Sequence, residues 1–81
     1  MSSRLPALRA REVVQVATKL GFVFDHQKGS HAVFRREQDG ARLVIPVHPG
    51  KDLSPKTLAG ITQDMGLTPD TFLKQHEDKL R

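Results

Sequence analysis

The 81-residue sequence contains no cysteine and no tyrosine. Without thiols there is no disulfide framework, no thiolate metal site and no cysteine nucleophile. The side chains left to move protons near neutrality are then His26, His31, His48 and His76, together with scattered carboxylates. Long apolar runs are missing too. The longest, Leu43-Val44-Ile45-Pro46-Val47, falls far short of the roughly 20 residues a membrane helix needs. The opening Met1-Ser2-Ser3-Arg4 lacks the apolar core of a secretion signal. The expectation is a cytoplasmic protein without membrane contact.

Several catalytic signatures are also absent. No glycine-rich phosphate loop precedes a helix, no Gly-x-Ser-x-Gly elbow occurs, and no two histidines stand at the helical i, i+4 spacing of a zinc site. Zinc held across a sheet by His26, His31 and His48 is the one arrangement left, and the scattered carboxylates offer it no support. No metal and no cofactor are expected. Residues 1–81 suffice for a single domain, and so small a core cannot enclose a deep pocket. A site here should be shallow, at a sheet face or an element edge.

What is present is positive charge, unevenly placed. Residues 1–51 hold nine Lys/Arg against four Asp/Glu, whereas residues 52–81 hold four against five. With a sequence pI of about 10.0, the first part of the chain suits a polyanionic partner such as nucleic acid.

Val13, Val14, Ala17 and Leu20 recur at helical spacing and Gly21 closes the run, predicting a helix over about 10–20. Phe22-Val23-Phe24-Asp25-His26 switches to a period of two, and Gln27-Lys28-Gly29-Ser30 supplies a tight turn. His31–Arg36 reads as a second strand, Asp39-Gly40 as a turn and Arg42–Val47 as a third strand. Ser54-Pro55 is a helix start, with Leu53 and Leu58 at staple spacing, and Gly66 a stop. Thr68-Pro69, flanked by Leu67 and Phe72, repeats the device for a short last helix to about His76.

The fold class is therefore α+β, ordered α-β-β-β-α with a short helical addition: a three-stranded antiparallel meander with helices on one face. This is the layout of the double-stranded RNA-binding domain (dsRBD), which reads RNA by shape and backbone contacts. Alternation sets His31, Val33 and Arg35 on one face and Ala32, Phe34 and Arg36 on the other. Phe34 is the larger core candidate, so His31 belongs to the less covered, basic face beside Lys28. A strand-edge histidine there is either a proton carrier or a hydrogen-bonded structural residue, and the pattern alone favours the structural role. His26, in step with Phe22 and Phe24, leans towards packing or turn stabilisation. His48 suits a phosphate contact or a second proton carrier, and His76 a solvated position. Arg35, Arg36 and Arg42 are either a phosphate-binding stripe or a solvated hairpin.

Leu5-Pro6, Glu12-Val13-Val14, Leu20-Gly21-Phe22, Gln27-Lys28-Gly29-Ser30-His31, Val33-Phe34-Arg35, Ile45-Pro46-Val47-His48, Gly50-Lys51-Asp52-Leu53 and Thr57-Leu58 together resemble the HicA mRNA interferase family. The likeness runs from about Leu5 to Phe72. It implies a dsRBD-like fold, a toxin that cleaves RNA independently of the ribosome, and a HicB-type antitoxin as protein partner. It also implies that the catalytic residue is the histidine of the Gly-Ser-His segment, His31. RNA-binding residues expected around it are Lys28, Gly29, Ser30, Arg35, Arg36, His48 and Lys51, and the free toxin is expected to be monomeric. The chemistry expected is metal-independent attack of a 2′-hydroxyl on the adjacent phosphate, with a non-catalytic RNA-binding module as the alternative. Two positions depart from the family's habit. Arg9-Ala10 stands where a capping hydroxyl or glycine is usual, and Gly60 where a longer, often polar, side chain is common.

Overall fold

The computed structural model describes residues 5–79. Six elements follow in order: α1 (Ala10–Lys19), β1 (Val23–Lys28), β2 (His31–Arg36), β3 (Ala41–Pro46), α2 (Pro55–Asp64) and α3 (Pro69–Lys79). The strands form one antiparallel sheet in the order β1-β2-β3. This is the α-β-β-β-α arrangement with an added helix that the pattern of apolar residues predicts.

The helices start as their sequences direct. Ser54 Oγ accepts from the Thr57 amide at 3.2 Å, and Thr68 and Thr71 exchange reciprocal side-chain-to-amide bonds of 2.8 and 3.2 Å. α1 has no capping hydroxyl. Instead Glu12 Oε2 accepts from the Arg9 amide at 2.9 Å, so the acidic half of a capping box serves an N-terminus that Arg9 cannot cap. Arg9 also meets Asp52 through a backbone bridge and an ion pair of 3.7 Å, which joins the chain before α1 to the segment before α2.

α1 and α2 pack on one face of the sheet, against β3. The shared core comprises Val13, Val16 and Ala17 of α1, Ala32 and Phe34 of β2, Leu43 and Ile45 of β3, Leu58 and Ile61 of α2, and Phe72 of α3, with Phe22 and Met65 from the connections. Phe72 is fully buried and α3 packs on both α1 and α2. The last helix is thus an integral layer, longer than the short addition expected. His76 does not lie in solvent: its side chain is 14% exposed and its Nε2 stands 3.6 Å from Glu12 Oε1. It closes α3 onto α1.

β1 differs from expectation in a way that matters for function. It begins at Val23 and runs through Lys28, so Gln27 and Lys28 belong to the strand and the loop is only Gly29-Ser30. Phe24 faces Phe34, but the next regular pair is His26 with Val33, and Asp25 is the extra residue of a β-bulge. The bulge reverses the alternation. Phe24 stays on the helix side, in edge contact with Phe34 at 5.7 Å between ring centroids. His26 turns to the opposite side and is not a packing partner of Phe24, contrary to the simple period of two.

Candidate functional site

His31 is placed by the tightest turn in the sheet. Gly29 adopts a φ of +58°, and no other residue type takes a positive φ among the described residues. A two-residue loop with positive φ at its first position alone has the pattern of a type II′ turn, which matches the strand twist and needs glycine there. Gln27 Nε2 donates to the Gly29 carbonyl at 3.0 Å, and the Val47 amide donates to the Ser30 carbonyl at 2.6 Å. The turn is therefore fastened to the end of β3. His31 has Lys28 of β1 directly opposite it on one side and Pro46 of β3 on the other.

The face away from the helices follows from register. β2 contributes His31, Val33 and Arg35; β1 contributes Lys28, His26 and Val23; β3 contributes Pro46, Val44 and Arg42. Val33 is only 4% exposed yet lies outside the helix-side core, so its neighbours on this face cover it. Val33 and half-buried Val44 form a small apolar floor. Lys28, His26, His31, Arg35 and Arg42 stand around it, all exposed.

Two features give this face its electrostatic character. Arg35 and Arg42 are direct cross-strand neighbours, an arrangement that costs stability unless an anion lies between or beside them. One anion is supplied internally: Asp25, thrown out by the bulge, reaches Arg35 Nε at 3.4 Å and His26 Nδ1 at 2.6 Å. The hydrogen bond from His26, with Arg35 nearby, holds the Asp25 carboxyl below the usual aspartate range, so it is ionised at neutral pH. Lys28, His31 and Arg42 have no ion-pair or hydrogen-bond partner for their side chains among the described residues.

Distances along the sheet separate the groups near His31 from those further along the face. Directly opposed side chains such as Lys28 and His31 have Cβ atoms about 5 Å apart. A diagonal pair such as His26 and His31 is about 7–8 Å apart. Arg35, four residues along β2, is about 13 Å from His31. Lys28 and His26 therefore lie within reach of a small group beside His31, whereas Arg35 and Arg42 stand further along the face.

The remaining expected residues are distributed unevenly. Ser30 is the half-buried second residue of the turn, and the Val47–Ser30 bond draws the exposed His48 and Lys51 to the same end of the sheet. There His48 lines an open groove of about 360 Å³ with Arg9, Ala10, Arg11 and Gly50, whereas His31 is outside it on the sheet face. Arg36 is not brought to this site. It lies on the helix side, with its guanidinium bound to Asp39 at 2.8 and 3.0 Å. It also donates to the Leu20 carbonyl at 3.1 Å and stacks 4.4 Å from the Phe22 ring centroid. Its valency is consumed in locking α1 to the hairpin. Among the described residues no three His, Asp or Glu side chains gather as a metal site, so His26, His31 and His48 do not converge on one ion. No helix there is long and apolar enough to cross a membrane.

The arrangement has what attack on a phosphodiester requires: a proton carrier, a lysine beside it and a line of cations for a polyanion. Comparison with known proteins bears on the same segment. A family model described as the HicA toxin of bacterial toxin–antitoxin systems matches residues 10–67, which span α1 to the end of α2. No curated protein matches the chain.

Proposed function

The chain belongs to the HicA toxin family of bacterial toxin–antitoxin systems, and from that premise we propose that it is an endoribonuclease that cuts RNA with His31 as the base. His31, neutral on one ring nitrogen, takes the proton of a 2′-hydroxyl. The oxygen attacks the adjacent phosphorus and the products are a 2′,3′-cyclic phosphate and a 5′-hydroxyl. Lys28, opposite His31, stabilises the charge that develops on the phosphorane. Arg35 and Arg42 hold the neighbouring phosphate, with His48 and Lys51 touching the strand as it leaves the sheet end. On this reading the free toxin acts as a monomer. The antitoxin, a HicB-type protein on this reading, neutralises it by covering the His31 face.

The observation that carries the reading is the placement of His31: an exposed imidazole at the edge of a cationic sheet face, with no partner and no covering helix among the described residues. A histidine kept for structure would be buried or bonded, as His76 is. Positioned proton transfer contributes about 10²–10⁴ in rate, so His31→Ala should lower cleavage of labelled RNA by that factor and abolish growth arrest, with an unchanged melting curve. Replacing the 2′-hydroxyl by hydrogen at the cut position should block cleavage completely. Full cleavage by His31→Ala, or cleavage of the deoxy-substituted strand, would overturn the assignment. RNA binding without cleavage by wild-type protein would establish the alternative, a binding module.

A further inference from the structure

Attack by the 2′-oxygen accounts for half of the reaction; the 5′-oxygen that leaves must also gain a proton. His48, the natural candidate from spacing, sits off the sheet face in the groove beside Arg9 and Arg11. His26 is better placed. The bulge at Asp25 sets it opposite Val33, on the face that carries His31 and diagonal to it across β1 and β2. We propose that His26, held by Asp25, is the general acid of this site, an assignment that rests on the ribonuclease reading of His31.

Geometry supports the pairing from both sides. A separation of about 7–8 Å leaves room for one phosphate between two imidazoles, with a hydrogen bond of about 3 Å at either end. Val33, opposite His26 and next to His31 on this face, presents no polar atom that would compete for that phosphate. The ring of His26 is oriented by Asp25, to whose Oδ2 its Nδ1 donates at 2.6 Å. That bond fixes the tautomer and leaves Nε2 as the nitrogen that faces other groups. Asp25 is in turn held by Arg35 Nε at 3.4 Å. A carboxylate that orients a histidine is a recurrent device for acid–base groups, and here the extra residue of a bulge provides it. Bulges re-aim side chains where a regular strand would point them away.

The step balances. The 2′-O–H proton passes to His31 as the 2′-oxygen bonds to phosphorus. The P–O5′ bond breaks and its electron pair takes the proton from Nε2 of His26. The cyclic phosphate and the 5′-hydroxyl depart with His31 protonated and His26 neutral, and exchange with water restores both. Lys28, Arg35 and Arg42 are the other charged groups on this face, and as cations they neutralise phosphate rather than relay protons. Asp25 is a positioning residue, acting through His26 alone.

The test uses one RNA oligonucleotide in two forms, differing only in whether sulfur replaces the bridging 5′-oxygen at the linkage that wild-type protein cuts. A thiolate leaves without a proton, so only the oxygen form needs an acid. His26→Ala should cut the oxygen form about 10²–10⁴ times more slowly and the sulfur form at nearly the wild-type rate. Asp25→Asn should show the same selectivity with a smaller loss. His31→Ala should fail on both, since both need the 2′-oxygen activated. Among the described residues the exposed His26 side chain hydrogen-bonds to Asp25 alone, so the melting curve should move little. Equal losses on the two forms, or no loss on the oxygen form, would overturn the assignment of His26 and leave that of His31 standing. Wild-type protein that cuts neither form would instead overturn the ribonuclease reading and the acid together.

Discussion

Replacing Gly29 by alanine tests whether the hairpin turn, and through it the site, is built as described. A Cβ added at Gly29 would meet no atom within 4 Å, so no clash contributes and the penalty is conformational alone. With φ at +58°, an L-residue there costs about 1–2 kcal/mol. In a domain of this size each kcal/mol moves the melting temperature by about 4–8 °C. Gly29→Ala should therefore melt roughly 4–16 °C below wild type. Gly60 provides the opposite sign with the same chemistry. It lies inside α2 on an exposed stretch, without a positive φ and with nothing within 4 Å of an added Cβ. There the methyl group removes a helix penalty of about 0.5–1 kcal/mol, and Gly60→Ala should melt roughly 2–8 °C higher. Thermal melts by circular dichroism at one protein concentration measure both. A second readout links turn to site: the Lys28–His31 pairing depends on the two-residue loop. RNA cleavage measured well below both melting points should fall in Gly29→Ala and hold in Gly60→Ala. An unchanged melting temperature in Gly29→Ala, or a decrease in Gly60→Ala, would refute the backbone argument.

Three further outcomes follow from particular residues. Phe72→Ala removes a fully buried ring at a cost of about 3–5 kcal/mol, a large share of the roughly 4–12 kcal/mol such a chain possesses. Its urea midpoint should fall by about a quarter or more, and a chain ending at Leu67 that unfolds like wild type would contradict this. Asp39, held below the usual aspartate range chiefly by the hydrogen bond from Arg36, gives stability that is fully present above about pH 3.9, where unfolded aspartate titrates. That contribution disappears as pH falls through the lower folded-state value, so the melting curves of wild type and Asp39→Asn should differ at pH 6 and converge in strong acid. A difference that persists there would count against the ion pair. Arg42→Ala should reduce the slope of log binding constant against log salt by about 0.7 for single-stranded RNA, as measured by fluorescence anisotropy with the His31→Ala protein as background. An unaltered slope would remove Arg42 from the phosphate contacts.

Much of this molecule is legible in its sequence because the signals are local. Ser54-Pro55 and Thr68-Pro69 announce their helices by groups within one turn, and those bonds form as the spacing implies. The His31, Val33, Arg35 alternation is equally local and holds, since β2 is regular along its whole length. What fails depends on groups far apart in the chain. Arg36 alternates correctly onto the helix side, but only the fold brings Leu20 and Phe22 against it and removes it from the candidate contacts. His76 looks solvated until α1 delivers Glu12 to it.

His26 is the instructive failure, because the sequence carries two conflicting phases for it. Counted forward from Phe24, which pairs with Phe34, it belongs to the core side. Counted back from a two-residue Gly29-Ser30 turn, Lys28 and His26 share the face of His31. Both phases cannot hold in a regular strand. One extra residue reconciles them, and that residue is Asp25. Its aspartate side chain gains an ion pair and a hydrogen bond there, while a regular strand would gain nothing from a charge beside Phe24. A phase conflict between a hairpin turn and an apolar pattern is therefore itself a signal for a bulge. In this chain the signal lies one residue from the histidine that completes the proposed acid–base pair.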